Sequence, residues 1–120
     1  MVITAKLIDV YPPSADDPDG FAMNVTDSIL RLRYRHGGRA EPLTPGRACE
    51  CAFPLYPTAN VFAAGHRIRL DVSSSNFPRF DVNPNTGDPL WANSVTRVAI
   101  NTIHHDARHP SRGTLPVIDA

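Results

Sequence analysis

The segment that decides the fold is Ala64-Gly65-His66-Arg67-Ile68-Arg69-Leu70-Asp71-Val72. From Arg67 onward, charged and apolar side chains alternate, with Ile68, Leu70 and Val72 on one face. Because successive side chains of a β-strand point to opposite faces, this pattern predicts a strand with one face in a core. A slip of one residue would bury three charges, so we expect a firmly fixed register.

The segments on either side of this strand carry further β-signals, and clusters of Asp, Pro and Gly separate them. The additional predicted strands are Val2 to Val10, Phe21 to Val25, Ala48 to Leu55, Ser94 to His104 and Thr114 to Ile118. The sequence therefore predicts an all-β, antiparallel sandwich with at most one or two short helices.

Residues 27–35 fit two patterns. With a period of two, Leu30, Leu32 and Tyr34 face the core, whereas with a period of 3.6 a short helix follows a cap at Thr26 or Asp27. We favour a short helix or turn, because nine residues can form two helical turns behind a well-placed cap.

Composition limits the class of protein. The 120 residues are enough for one hydrophobic core, so we expect a single domain over 1–120, and 12 prolines argue against long helices. The 12 basic residues balance the 12 acidic ones, which disfavours nucleic-acid and membrane partners. The sequence contains no apolar run of membrane-spanning length, and the N-terminus resembles no secretion signal, so we expect a cytoplasmic protein.

The sequence contains no complete active site of a known kind. The motif Gly-x-Ser-x-Gly of an α/β-hydrolase nucleophile is absent, and Ser73 to Ser75 and Ser111 lack its flanking glycines. We expect Cys49 and Cys51 to be small buried side chains without a mutual disulfide. We assign no catalytic residue and no cofactor to the chain.

His104, His105, Asp106 and His109 form the best metal-like cluster, since imidazole and carboxylate suit zinc or iron. Adjacent histidines on a strand point to opposite faces, so at most His104, Asp106 and His109 could converge. We favour a solvated strand end here and assign no metal site.

Two surface features have competing interpretations. The arginines at 31, 33, 35 and 39 favour a salt-bridged face or a domain contact over a phosphate-binding surface. The irregular segment 73–89 is longer than most loops, which makes it the first place to look for a contact surface. Its aromatic residues Phe77 and Phe80, with nearby Trp91, favour loop anchoring or interdomain packing over a sugar-stacking platform.

The stretch from Phe62 to Asp81, followed by Asn85-Thr86-Gly87, closely resembles the C-terminal domain of CocE/NonD-type hydrolases. The flanking segments that match in the same order are Thr4 to Pro12, Asn24 to Asp27 with Ile29 to Arg35, Leu43 to Gly46 and His105 to Arg112. The resemblance thus covers nearly the whole chain. The family includes cocaine esterase-like acyl esterases and X-Pro dipeptidyl-peptidases.

The resemblance implies an architecture and a supporting role. Members of the family join an α/β-hydrolase domain and a helical cap to a C-terminal jelly roll of the galactose-binding-like kind. The catalytic triad lies in the hydrolase domain, so the resemblance implies a noncatalytic region that packs against that domain, borders its cleft and sometimes helps oligomers form. The residues that we assign to the candidate domain interface are His66, Phe77, Arg79, Phe80, Asp81, Asn85 and Trp91.

The chain departs from the family pattern at its start. A substantial β-rich stretch normally precedes the part that matches Thr4, so we expect the later part of the jelly roll and self-association through exposed sheet edges. The alternative function is a freestanding β-sandwich module that binds carbohydrate or another small ligand through its loop aromatics.

Overall fold

The computed structural model describes residues 1–89, 92 and 95–118, and its regular structure is a three-stranded antiparallel sheet. Strand β1 spans Val2–Tyr11, β2 spans Phe21–Arg31 and β3 spans Arg67–Ser73, in the spatial order β2-β1-β3. Within the described residues, the helical content is a single 3-10 turn at Leu32–Tyr34. The predicted all-β class is confirmed.

Strand β1 lies in the centre of the sheet and forms the core. It is the most apolar of the three strands, and Val2, Ala5, Leu7 and Ile8 are all buried. Strands β1 and β2 are joined by a turn in which Gly20 has φ +75° and approaches the carbonyl of Tyr11 so closely that a Cβ would lie 2.7 Å from its oxygen. Only glycine fits this conformation without strain.

Strand β2 continues beyond the predicted end at Val25, so the helical interpretation of residues 27–31 is wrong. Asp27 pairs with Lys6 of β1, and the ladder runs on to Arg31 opposite Val2. The side chain of Asp27 does not cap a helix, because its carboxylate accepts hydrogen bonds from Asn76 and Arg79. The predicted short turn does form, but only at Leu32–Tyr34.

Strand β3 confirms the prediction for residues 67–72, but its apolar face is not buried. Leu70 lies opposite Leu7 of β1, so the two side chains share a face of the sheet. Leu7 is 5% exposed, whereas Ile68, Leu70 and Val72 are 56%, 47% and 42% exposed. We call these three residues of β3 the exposed stripe.

Three other predicted strands do not form. Residues 48–55, 95–104 and 114–118 have no strand structure, and Ser94 lies outside the described residues. Val98 and Ile100 are 99% and 96% exposed. An alternating sequence becomes a strand only where a neighbouring strand accepts its backbone hydrogen bonds, and these segments have no such neighbour in the part of the chain that is described.

The chain is more open than a self-contained domain. Its radius of gyration is 17.2 Å, whereas a compact domain of this length has about 13.6 Å. Its accessible surface is 9623 Å², whereas a folded monomer of the same mass exposes about 6,400 Å². No helix in the described residues is long and apolar enough to cross a membrane.

Candidate functional site: two buried carboxylates that anchor the loops

Asp9 lies on the central strand and is fully buried at 0% exposure. Its Oδ1 lies 2.8 Å from Nδ1 of His66, and its Oδ2 accepts a hydrogen bond of 3.2 Å from Nδ2 of Asn60. An ionised carboxylate only accepts hydrogen bonds, so His66 donates through Nδ1. The carboxylate therefore fixes the segment 60–66, which leads into β3, against the middle of the sheet.

The imidazole of His66 is held from a second side by an aromatic ring. The ring centroids of Tyr11 and His66 are 4.1 Å apart, and the side chain of His66 is only 13% exposed. A histidine oriented by a buried aspartate resembles the base and its orienting carboxylate in a hydrolase triad. Within residues 1–89, 92 and 95–118, no hydroxyl or thiol is hydrogen-bonded to this imidazole, so here the pair connects two segments of the fold.

Asp27 on β2 plays the same part for the long loop 73–89. Nε of Arg79 lies 2.8 Å from Oδ2 and donates a 2.9 Å hydrogen bond to Oδ1, while Nδ2 of Asn76 donates to Oδ2 at 3.2 Å. The side chain of Asp27 is 5% exposed, and the side chain of its partner Arg79 is 54% exposed. The guanidinium of Arg79 also lies over the rings of Phe80 and Tyr56, at 5.4 and 6.0 Å from their centroids.

The far end of the loop is fixed by backbone contacts. Arg33 donates from its guanidinium to the carbonyl oxygens of Gly87 and Asp88 at 2.8 and 3.2 Å. Asn85 has φ +59°, and its side chain donates to the carbonyl of Arg97. The segment 73–89 is therefore an ordered feature anchored at several points along its length, although it has no strand beyond Ser73.

The arginines near the end of β2 have different partners. Nη2 of Arg35 forms a 2.9 Å ion pair with Glu41, and Nη1 donates to the carbonyls of Leu32 and Glu41. Arg33 donates to loop carbonyls, so two of the clustered arginines are used within the fold, and one of them, Arg35, forms a salt bridge. Arg31, Arg33, Arg79 and Phe80 line one open cleft of about 470 Å³ between β2 and the loop.

The seven candidate interface residues fall into two groups. Three of them make contacts within the fold: His66 and Arg79 hold loops to the sheet, and Asn85 donates to the carbonyl of Arg97. Phe77 is 70% exposed and Asp81 is exposed, while Phe80 is half-buried beneath Arg79. Trp91 lies outside the described residues.

Sequence reasoning missed the two carboxylates that organise the site. A signal for Asp9 was present, because alternation along β1 places it on the same face as Ala5 and Leu7, where a charge needs a partner. The sequence offered no comparable signal for Asp27, because its position after Thr26 looked like a helix cap.

Both cysteines are free thiols in a segment without strand structure. Cys49 is exposed and Cys51 is half-buried, so the expected burial is wrong for Cys49. Burial raises the pKa of the Cys51 thiol above its ordinary value, and the neighbouring Cys49 acts in the same direction.

The structure brings together the three residues of the metal-like cluster that the sequence allowed to converge. One ligand atom from each of His104, Asp106 and His109 lies within 4.8 Å of the others. Hydrogen bonds from the backbone N–H groups of His109 and Arg108 lower the pKa of the Asp106 carboxyl below its ordinary value.

Comparison with known proteins gives a consistent result. Residues 2–112 match the family described as the X-Pro dipeptidyl-peptidase C-terminal non-catalytic domain. The chain is 42% identical over 119 residues to cocaine esterase of a Rhodococcus species. This alignment covers 96% of this chain and 20% of that enzyme. The chain is also 27% identical over 120 residues to a Mycobacterium bovis protein that is named "Putative serine esterase". This second alignment covers 85% of this chain and 17% of that protein.

The matched region is a minor part of each relative. The chain spans about a fifth of the length of cocaine esterase, and no solved structure matches it significantly. The family match nevertheless covers nearly all of the chain, and it agrees with the resemblance to CocE/NonD hydrolases. The chain therefore belongs to the family of X-Pro dipeptidyl-peptidase C-terminal non-catalytic domains.

Proposed function

We propose that this chain supports the α/β-hydrolase domain of a CocE/NonD-like serine hydrolase and borders the cleft of that domain. In this role it acts through packing and shape, and a neighbouring domain carries out the chemistry. Its membership in a non-catalytic domain family and its similarity to serine esterases support the proposal.

The observation that carries the proposal is the excess of exposed surface. The chain exposes 9623 Å², about 3,200 Å² more than a compact monomer of its mass. A specific interface of standard size covers about 800 Å² on each partner. The excess is therefore large enough for an extensive contact with other polypeptide.

The chemistry of the exposed surface favours a protein partner. The exposed stripe of Ile68, Leu70 and Val72 is apolar and lies on an ordered strand, in register with the buried Leu7. Contiguous apolar surface of this kind is typical of protein interfaces. We place the hydrolase domain against this stripe.

The anchored loop 73–89 supplies the part of the proposal that concerns the cleft. Asp27 holds Arg79 and Asn76 against the sheet, while Phe77 between them stays 70% exposed. A large aromatic side chain presented on a fixed loop is suited to contact a neighbouring domain or the rim of its cleft.

A chimera tests the proposal. The matched fifth of Rhodococcus cocaine esterase is replaced by this chain, and hydrolysis of a 4-nitrophenyl ester and the half-life of thermal inactivation are measured. We expect the chimera to be active, and we expect Leu70→Asp to shorten its half-life by at least about tenfold, because a carboxylate against an apolar face costs more than 1.4 kcal/mol.

The control uses the same new side chain on the opposite face of β3. Arg69→Asp should leave the half-life within about twofold, because Arg69 forms only a surface ion pair with Asp71. The proposal fails if deleting the matched fifth leaves the half-life of the esterase unchanged. It also fails if the pure chain hydrolyses the ester in a reaction that a serine-directed inhibitor blocks.

The completed jelly roll, the single domain over 1–120 and the cytoplasmic location stay predictions. A structure of the chain joined to its hydrolase domain would test the first two.

A further inference from the structure

The cluster of His104, Asp106 and His109 is separate from the sheet and from the two carboxylate anchors. In the sequence these residues form the pattern His-x-Asp-x-x-His. Their side chains are 42%, 58% and 51% exposed, so an ion in solvent can reach all three. None of them contributes to the buried core.

The backbone around Asp106 fixes the geometry of the cluster. Oδ1 of Asp106 accepts hydrogen bonds from the backbone N–H groups of Arg108 and His109 at 2.8 and 2.9 Å. These bonds fold the chain back so that His109 approaches His104, and their ring centroids are 5.0 Å apart. Oδ2 of Asp106 stays on the side that faces His104.

The ligand atoms face one another without being joined by hydrogen bonds. Nδ1 of His104 lies 3.9 Å from Oδ2 of Asp106, and Nδ1 of His109 lies 3.8 Å from Oδ1. Both distances exceed the donor–acceptor distance of about 3 Å that is typical of a hydrogen bond. Oδ1 of Asp106 accepts the two backbone hydrogen bonds, whereas its Oδ2 and the facing nitrogens of the two histidines are available to a ligand placed between the three groups.

We propose that His104, Asp106 and His109 form a binding site for a divalent transition-metal ion. Two imidazole nitrogens and one carboxylate oxygen are the ligand set of zinc and related ions, whereas calcium and magnesium prefer oxygen ligands alone. Tetrahedral ligands at zinc lie about 3.3 Å apart, so the largest separation of 4.8 Å must shorten through side-chain rotation. Because the three side chains are exposed, this rotation disturbs no packed core.

Zinc binding to the full chain tests the proposal. Cys49 and Cys51 are first replaced by serine, so that thiolates cannot bind the metal. Isothermal titration with ZnCl₂ should then give one ion per chain. His104→Ala and His109→Ala should each weaken binding by at least about tenfold, because each removes one of three ligands.

Asp106→Asn separates ligation from folding of the turn. The asparagine oxygen can still accept the two backbone hydrogen bonds, so the turn persists while the charged ligand is lost. We expect weaker zinc binding with an unchanged circular dichroism spectrum. His105→Ala is the matched control, because His105 is adjacent in sequence but lies outside the cluster, and its affinity should equal that of the parent.

Cobalt provides a second measurement that reports on the ligands themselves. Co²⁺ should give a visible absorption band in the parent and in His105→Ala, and the band should be lost in His104→Ala. The proposal is overturned if the parent binds no zinc at millimolar concentration, or if His105→Ala weakens binding as much as His104→Ala does.

Discussion

Asp9→Ala provides the most direct test of how the sheet holds its loops. The substitution removes both acceptors from a carboxylate that is 0% exposed and leaves His66 and Asn60 without their partner. A hydrogen bond to a charged group contributes about 1.5–3 kcal/mol, and a neutral buried partner left unsatisfied costs about 1 kcal/mol or more. The two hydrogen bonds together contribute about 3–6 kcal/mol. Removing the carboxylate also relieves the cost of dehydrating it, so we expect a net loss near the lower end, about 3 kcal/mol.

Urea unfolding followed by circular dichroism measures the effect. For a chain of this size the free energy of unfolding falls by about 2 kcal/mol per molar urea, so a loss of about 3 kcal/mol lowers the midpoint by about 1.5 M. The urea midpoint of Asp9→Asn should lie about halfway between those of the parent and of Asp9→Ala. The asparagine oxygen still accepts a hydrogen bond from His66, but its NH₂ group faces the NH₂ group of Asn60, and two donors cannot bond to each other.

Asp71→Ala is the matched control on the neighbouring strand. Its carboxylate is 46% exposed and pairs with Arg69, which is itself 49% exposed. A surface ion pair of this kind contributes at most about 1 kcal/mol. Equal midpoints for Asp9→Ala and Asp71→Ala would refute the view that the buried carboxylate anchors the segment 60–66.

Three further predictions concern the sheet and the thiols. Leu7→Ala should lower the free energy of unfolding by about 2–5 kcal/mol, whereas Leu70→Ala should lower it by less than about 1 kcal/mol. The reason is that Leu7 is 5% exposed and Leu70 is 47% exposed. Similar losses for the two variants in urea unfolding would contradict this prediction. The pure chain should self-associate in sedimentation velocity, and Leu70→Asp should reduce the association, since it interrupts the exposed stripe; a parent that stays monomeric at high concentration would contradict the prediction. Iodoacetamide should modify Cys49 before Cys51, because Cys49 is exposed and burial raises the pKa of Cys51, and peptide mapping that finds the reverse order would show that the pKa difference does not control reactivity.

Alternation in the sequence predicted a strand correctly where a neighbouring strand is present to pair with it. Residues 2–10 and 67–72 are strands, and they pair directly with each other, with Leu7 opposite Leu70. Alternation was equally clear around Val98 and Ile100, yet those side chains are almost fully exposed. Periodicity describes which face of a segment is apolar, but a strand also needs a neighbour to complete its hydrogen bonds.

Asp27 shows why the end of β2 was misjudged. An aspartate before an apolar run is a common helix cap, because its carboxylate accepts hydrogen bonds from the first backbone N–H groups. Here the same carboxylate accepts from Arg79 and Asn76, which lie about 50 residues away in sequence. A local pattern cannot reveal a competing partner at that separation, so the strand interpretation required the tertiary structure.

The two anchors and the exposed stripe have a common physical explanation. A sheet of three strands has too little apolar surface to bury both of its faces, so polar contacts at Asp9 and Asp27 hold the loops in place of a larger core. The stripe on β3 then stays available for another polypeptide, although its register against β1 is already set. A surface that is already ordered loses little conformational freedom on docking, and the proposed supporting role would need this property.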